Sequence, residues 1–158
     1  DGGGITPDVT IEGHDYSRLT YSLVYSGIIQ EYALDYVREH ADADEDFHLA
    51  DKDWDGFVAF AKTKEFDYRS SAKTYFDRMK KELEKDGLSK NMSAELDALQ
   101  KALEMDKETF LKLKKDEIVP FIEEEIAVRY HFQEAGIKIR LRYDDQLKKA
   151  LASPMIEI

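Results

Sequence analysis

Apolar residues recur at intervals of three and four along most of this chain, and each such stripe marks one face of a helix. Leu19 and Leu23 open the pattern, in a helix expected from about Tyr16, and Gly27 interrupts it. Ile29, Tyr32, Ala33, Tyr36 and Val37 then follow at i, i+3, i+4, i+7 and i+8. Asp42-Ala43-Asp44-Glu45-Asp46 breaks the period and reads as an exposed loop. A third helix is expected from near Asp53, with Trp54, Phe57, Val58 and Ala61 on one face. A fourth runs from about Ser70 to Asp86 on Ala72, Tyr75, Phe76, Met79 and Leu83. Gly87 suits the C′ position after it, because glycine tolerates positive φ. Ser93 reads as the cap of a fifth helix, with Met92, Leu96, Leu99 and Leu103 in register.

A sixth helical stretch begins near Lys107 and passes through Phe110, Leu111, Ile118, Phe121, Ile122 and Ile126 to about Glu134. Pro120 inside it removes a backbone donor and should kink or split it. Gly136 is expected to end it. Ile137, Ile139 and Leu141 alternate with Lys138, Arg140 and Arg142, which predicts a short extended segment. A last helix fits 144–152, ahead of Pro154. At the other end, Pro7 and the alternation of Val9 and Ile11 with Thr10 and Glu12 make residues 1–13 extended, closed by Gly13. The pattern predicts a mostly α fold: a bundle of six or seven amphipathic helices with a short extended N-terminal segment and no internal repeat.

The length, 158 residues, suits one domain. The net charge of −11 repels phosphate, so the expected partners include no nucleic acid. No apolar run approaches the roughly 20 residues of a membrane span, so no membrane insertion is expected of this chain. With no cysteine there is no disulfide, no thiolate metal site and no cysteine nucleophile. The opening Asp1-Gly2-Gly3-Gly4 has neither an initiator Met nor a signal-peptide pattern, which reads as a piece of a longer protein.

Candidate chemistry is sparse. Asp51-Lys52-Asp53-Trp54-Asp55-Gly56 matches the start of an EF-hand loop, and Val58 fits its apolar position. Position 12, however, is Lys62, an ammonium where Ca²⁺ needs a bidentate Glu. The string therefore reads as an acidic helix N-terminus, with Asp53 as cap and Asp55 favouring the dipole. His14, His40, His48 and His131 form no metal-ligand spacing. No nucleophile elbow is present, and Ser70-Ser71 are better placed as helix caps. Gly2–Gly4 lack the Lys-Ser/Thr of a phosphate loop. Arg78, Lys80, Lys81 and Lys85 interleave with Asp77, Glu82 and Glu84 as a mixed-charge face. Tyr16, Tyr21, Tyr25, Tyr32 and Tyr36 gather in the first two helices, as the rim of a core or part of a docking face. No catalytic, cofactor-binding or metal-binding residue is assigned, and no cofactor is expected.

Gly2-Gly3-Gly4-Ile5-Thr6-Pro7-Asp8-Val9 resembles the segment that closes the catalytic core in carboxyl-terminal processing, or tail-specific, serine proteases. Tyr16-Ser17, Ser26-Gly27-Ile28-Ile29 and Tyr32-Ala33-Leu34-Asp35-Tyr36-Val37 resemble the helices that follow it in some bacterial members. Trp54-Asp55-Gly56-Phe57, Arg129-Tyr130, Gly136 and the run Asp144–Leu151 are similar as well, whereas about 62–120 matches only in helical character. The resemblance implies that residues 1–13 end a protease core and that 14–158 form its helical C-terminal accessory domain. The serine nucleophile, the lysine base and the PDZ module would lie upstream, leaving this piece without catalytic groups. It also implies a periplasmic or exported location. The implied partners are the upstream core and PDZ module, the parent's protein substrates and a second copy in a homodimer. A free-standing helical interaction module is the competing expectation, and a Ca²⁺-responsive regulator a weaker one.

Overall fold

The computed structural model describes residues 15–152, which are mostly helical. Among them are eight α-helices: α1 (Arg18–Tyr25), α2 (Ile28–Glu39), α3 (Asp51–Lys62), α4 (Ser71–Lys85), α5 (Ser93–Leu103), α6 (Lys107–Leu113), α7 (Lys115–Arg142) and α8 (Asp145–Ala152). A single 3₁₀ turn, Ser89–Met92, precedes α5. The expected extended segment 1–13 lies outside the described residues. The mostly α class holds, but the count of six or seven does not. The expected sixth helix is two, broken at Lys114 (φ −103°, ψ 17°), which ends α6 and begins α7.

Pro120 does not cause that break. The proline sits in the second turn of α7, where the helix runs straight through it. The carbonyl it leaves without a helical donor belongs to Asp116, an exposed residue. Two further boundaries differ from expectation. Helix α3 starts at Asp51 behind Ala50, so Asp53 lies in the first turn and caps nothing. Ser93 is likewise the first residue of α5, and the preceding Met92 makes no side-chain cap.

Local chemistry explains the other ends. Ser70 Oγ accepts the Lys73 N–H (3.0 Å) and starts α4. At its far end Gly87 takes φ +73°, the Leu88 N–H reaches the Leu83 carbonyl (2.9 Å) and the Gly87 N–H reaches that of Glu84 (3.2 Å). Those are the two bonds of a Schellman cap. Gly27, at φ +76°, turns α1 into α2 with one residue in a conformation that costs other residues energy.

One core gathers the stripes of α1, α2, α3, α6 and the first half of α7. Leu19, Leu23, Ile29, Phe57, Leu111, Ile118, Ile122 and Ile126 are fully buried in it. Each such side chain contributes roughly 1.5–3 kcal/mol by leaving water. Tyr32 and Tyr36 pack on its edge, and the Tyr32 hydroxyl donates to the Asp53 carbonyl (2.6 Å). Tyr21 and Tyr25 stack on each other (centroids 6.1 Å apart) and stay exposed. The aromatic rim and the exposed aromatic face are thus both present.

Glu117, in the first turn of α7, ties α1 down. Its Oε2 accepts the Ser17 N–H (2.8 Å) and the Thr20 hydroxyl (2.9 Å), and Lys114 Nζ donates to Oε1 (2.6 Å). Burial works against its charge, but the Lys114 ammonium and the donors of Ser17 and Thr20 outweigh it and hold the carboxyl at about 2. A carboxyl depressed in the folded state stabilises the fold above its unfolded value of about 4.3 and loses that contribution as pH falls towards 2. Glu117→Gln is therefore expected to lower the urea midpoint at pH 7, and variant and parent should converge as the buffer is acidified through that window. A gap that stays constant down to pH 2.5 would show that the charge is not what matters.

Candidate functional site

Helix α7 doubles back on itself. His131 (φ −127°, ψ 18°) and Phe132 (φ 62°, ψ −170°) leave helical geometry, and the residues after them run antiparallel to those before. Phe132 is the only non-glycine residue with positive φ among those described, in a region that suits glycine. The residue is 81% exposed. This elbow, rather than Gly136, ends the first limb.

Gly136 instead lies inside the return limb. A Cβ there would overlap the Val128 Cγ2 methyl and come within 3.5 Å of Glu124 Cγ, so the missing side chain is what lets the two limbs touch. The extended segment expected over 137–142 is also helical. Ile139 is fully buried with Ala127 and Ala135, while Ile137 and Leu141 face outward. The period-two alternation carried only one inward residue, too few to tell a strand from a helix.

The return limb is held by polar contacts to the acidic loop between α2 and α3. Glu123, on the first limb, is 2% exposed and is the centre of the arrangement. Its Oε1 accepts the Leu49 N–H (2.8 Å), and its Oε2 accepts from Arg142 Nη1 (3.1 Å) and the Tyr143 hydroxyl (2.8 Å). Arg142 also donates to the Phe47 carbonyl (2.8 Å) and pairs with Asp46. Lys138 pairs with Glu45 (3.2 Å), and Arg140 with Glu124. At the elbow, Tyr130 donates to the His40 carbonyl (2.6 Å) and His131 Nε2 to that of Ala43 (2.5 Å). Burial and the neighbouring Glu123 carboxylate push the Tyr143 phenol up to about 12, so it stays a donor across the physiological range.

Folding back creates a cleft of about 580 Å³ between both limbs of α7 and α8. Tyr16, Pro120, Phe121 and Tyr143 give it apolar walls, with Glu124 and Arg140 across from them. Tyr16 and Phe121 meet edge to face, 5.1 Å between centroids.

The residues singled out for chemistry do not converge. Asp51, Asp53 and Asp55 lie on a continuous helix, where a spacing of two residues turns successive side chains about 200° around the axis, so Asp53 points away from Asp51 and Asp55 and the three do not surround one ion. Asp51 pairs with Lys115 (2.7 Å) instead. His40 donates to the Tyr36 carbonyl (2.9 Å), His48 lies beside Arg142 (3.2 Å) and His131 sits at the elbow, while His14 is outside the described residues. Among the described residues no group of three or more His, Asp or Glu could hold a metal ion, and no helix is long and apolar enough to cross a membrane. Ser70 is spent on its cap, and Lys73 pairs with Asp77 (2.5 Å) on the mixed-charge side of α4. Glu123 was not singled out from the sequence, although it shares a face with Ile126 and Ala127, at i+3 and i+4.

Fold and cleft together define an α-helical domain with an open cleft between the limbs of α7 and α8. The chain belongs to the family described as probable PDZ-protease, C-terminal helical domain, whose model matches residues 19–153. No curated protein and no solved structure matches it.

Proposed function

We propose that this chain is the non-catalytic C-terminal domain of a carboxyl-terminal processing serine endopeptidase, acting at the cell envelope or outside it. Its role is to pack on the upstream core, to frame access of protein substrates to the catalytic cleft, and to bring copies together. Residues 1–13 would end the core and 14–158 form the accessory domain. The observation that carries the reading is the family match combined with an aromatic cleft lined by Tyr16, close in sequence to the segment expected to end the core. An apolar cleft of this kind suits docking better than chemistry, since no nucleophile–base pair lines it.

Two observations test it. The purified chain should not cleave an unfolded protein substrate, and cleavage abolished by replacing one of its serines would overturn the reading. The reading frame upstream should encode a PDZ module and a Ser/Lys core; a translation start just ahead of Asp1 would favour a free-standing helical module instead.

A further inference from the structure

The cleft between the limbs of α7 does not end at Glu124 and Arg140. Their ion pair borders a smaller hollow of about 210 Å³, with apolar walls from Val24, Ile29 and Phe121 and polar ones from Gln30 and Glu125. Phe121, Glu124 and Arg140 line both spaces, so the two adjoin and make one groove. Gln30 is the unusual group in it. Its Nε2 donates to Glu125 Oε1 (3.2 Å), which fixes the amide's orientation, because the flipped form would set two acceptors against each other. The oxygen so placed, Oε1, is buried and accepts no hydrogen bond from any described residue. Buried polar atoms are nearly always paired, so this acceptor calls for a donor that the described chain does not supply.

The local charge selects the donor. Five carboxylates line the two hollows against two cations, and both cations are engaged, Arg140 with Glu124 and Lys148 with Asp145 (3.5 Å). Lys148 Nζ also lies over the Tyr143 ring, 5.9 Å from its centroid, so the aromatic wall already receives a cation. Burial raises the Tyr16 phenol, and Tyr21, Glu117 and Glu124 push it further against the opposing Arg140, as a negative local field does. We propose that the groove binds an extended segment of substrate polypeptide through a basic side chain, whose head group enters the smaller hollow and donates to Gln30 Oε1. The aliphatic stem of that arginine or lysine lies along Val24, Ile29 and Phe121, and its charge comes to rest beside Glu124 and Glu125. Apolar neighbours in the same segment lie on Tyr16, Pro120 and Phe121 in the larger cleft. Volumes of this order suit a short extended segment rather than the broad face of a folded domain. The inference rests on the reading that this domain frames access of protein substrates, and it names the chemistry of that access. Binding is measured on the chain alone, so an upstream frame without a protease would remove the substrate role and leave the binding in place.

Fluorescence anisotropy on the full chain decides it, with fluorescein-labelled hexapeptides in which leucine alternates with arginine, glutamine or glutamate. The arginine peptide should bind in the micromolar range, the glutamine peptide about tenfold more weakly or worse, and the glutamate peptide not at all. Gln30→Met keeps the net charge and about the same volume but removes the acceptor. It should weaken the arginine peptide by about tenfold or more and leave the glutamine peptide unchanged, with helix content by circular dichroism that of the parent. If the variant loses helix signal, the side-chain amide resonances of Gln30 in the parent take its place, and they should shift with the arginine peptide alone. An arginine peptide that fails to bind at millimolar concentration, or binds no better than the glutamine one, overturns the inference. So does binding that Gln30→Met leaves intact, since water would then satisfy the amide and overall charge would hold the peptide. Displacement by an equal concentration of free arginine overturns it as well, because the groove would then take a small cation and not a polypeptide.

Discussion

Glu123→Ala is expected to cost about 3–5 kcal/mol, a large share of the 5–15 kcal/mol that typically holds a domain of this size. The carboxylate is 2% exposed, and its removal takes an acceptor from three donors at once: the Leu49 N–H, the Arg142 guanidinium and the Tyr143 hydroxyl. Arg142 keeps Asp46 and the Phe47 carbonyl, so most of the cost comes from the Leu49 N–H and the Tyr143 hydroxyl, each left without its acceptor. Glu123→Gln keeps the shape and an acceptor and should cost less. Urea unfolding of the three proteins measures this. The return limb should also lose amide protection from hydrogen exchange before the main core does. A loss under 1 kcal/mol for the alanine variant would mean that water readily replaces the carboxylate.

The second large effect concerns Gly136. Alanine is normally worth about 1 kcal/mol more than glycine inside a helix, so the substitution would stabilise an ordinary α7. Here the new methyl would occupy the space of the Val128 Cγ2 group, and the net change should be a loss of about 1–3 kcal/mol, with Gly136→Leu at the upper end. Val128→Ala should rescue Gly136→Ala, because it vacates the same space. The pair therefore couples in a double-mutant cycle, whereas Val128→Ala should not rescue Glu123→Ala. Additive losses at 128 and 136 would place the two limbs further apart than described.

Much of this fold was legible in the apolar stripes. The stripe of Ile29, Tyr32, Ala33 and Tyr36 became α2, and the inward set Trp54, Phe57, Val58 and Ala61 is buried as its spacing required. Capping chemistry placed Ser70 and Gly87 correctly. The α7 region was read worst, for physical reasons. Periodicity reports which face is buried but not that the helix axis reverses, and the reversal at His131–Phe132 uses neither glycine nor proline. Pro120 drew attention to the wrong place because a helix tolerates a missing N–H where the orphaned carbonyl belongs to an exposed residue. Gly136 was taken for a terminator when its role is close approach.

The candidate site was missed for a related reason. Glu123-Glu124-Glu125 looks like a solvated acidic face, and only its register with Ile126 and Ala127 marks the first of the three as inward. A second signal was also available: the acidic run Asp42–Asp46 is opposite in sign to Lys138, Arg140 and Arg142, nearly a hundred residues on. Two of these three, Lys138 and Arg142, bind that run, and Arg140 turns to Glu124. Nothing in one-dimensional spacing couples segments so far apart.

The elbow at His131–Phe132 has a mechanical consequence. It reverses the chain with two residues and no loop, so there is no slack between the limbs. A tug on α8 is delivered through Tyr143 and Arg142 straight to Glu123, and from there to the backbone of Leu49 and Phe47. Whatever grips the C-terminal end of this domain therefore has a taut line to the segment between α2 and α3, some hundred residues away along the polypeptide.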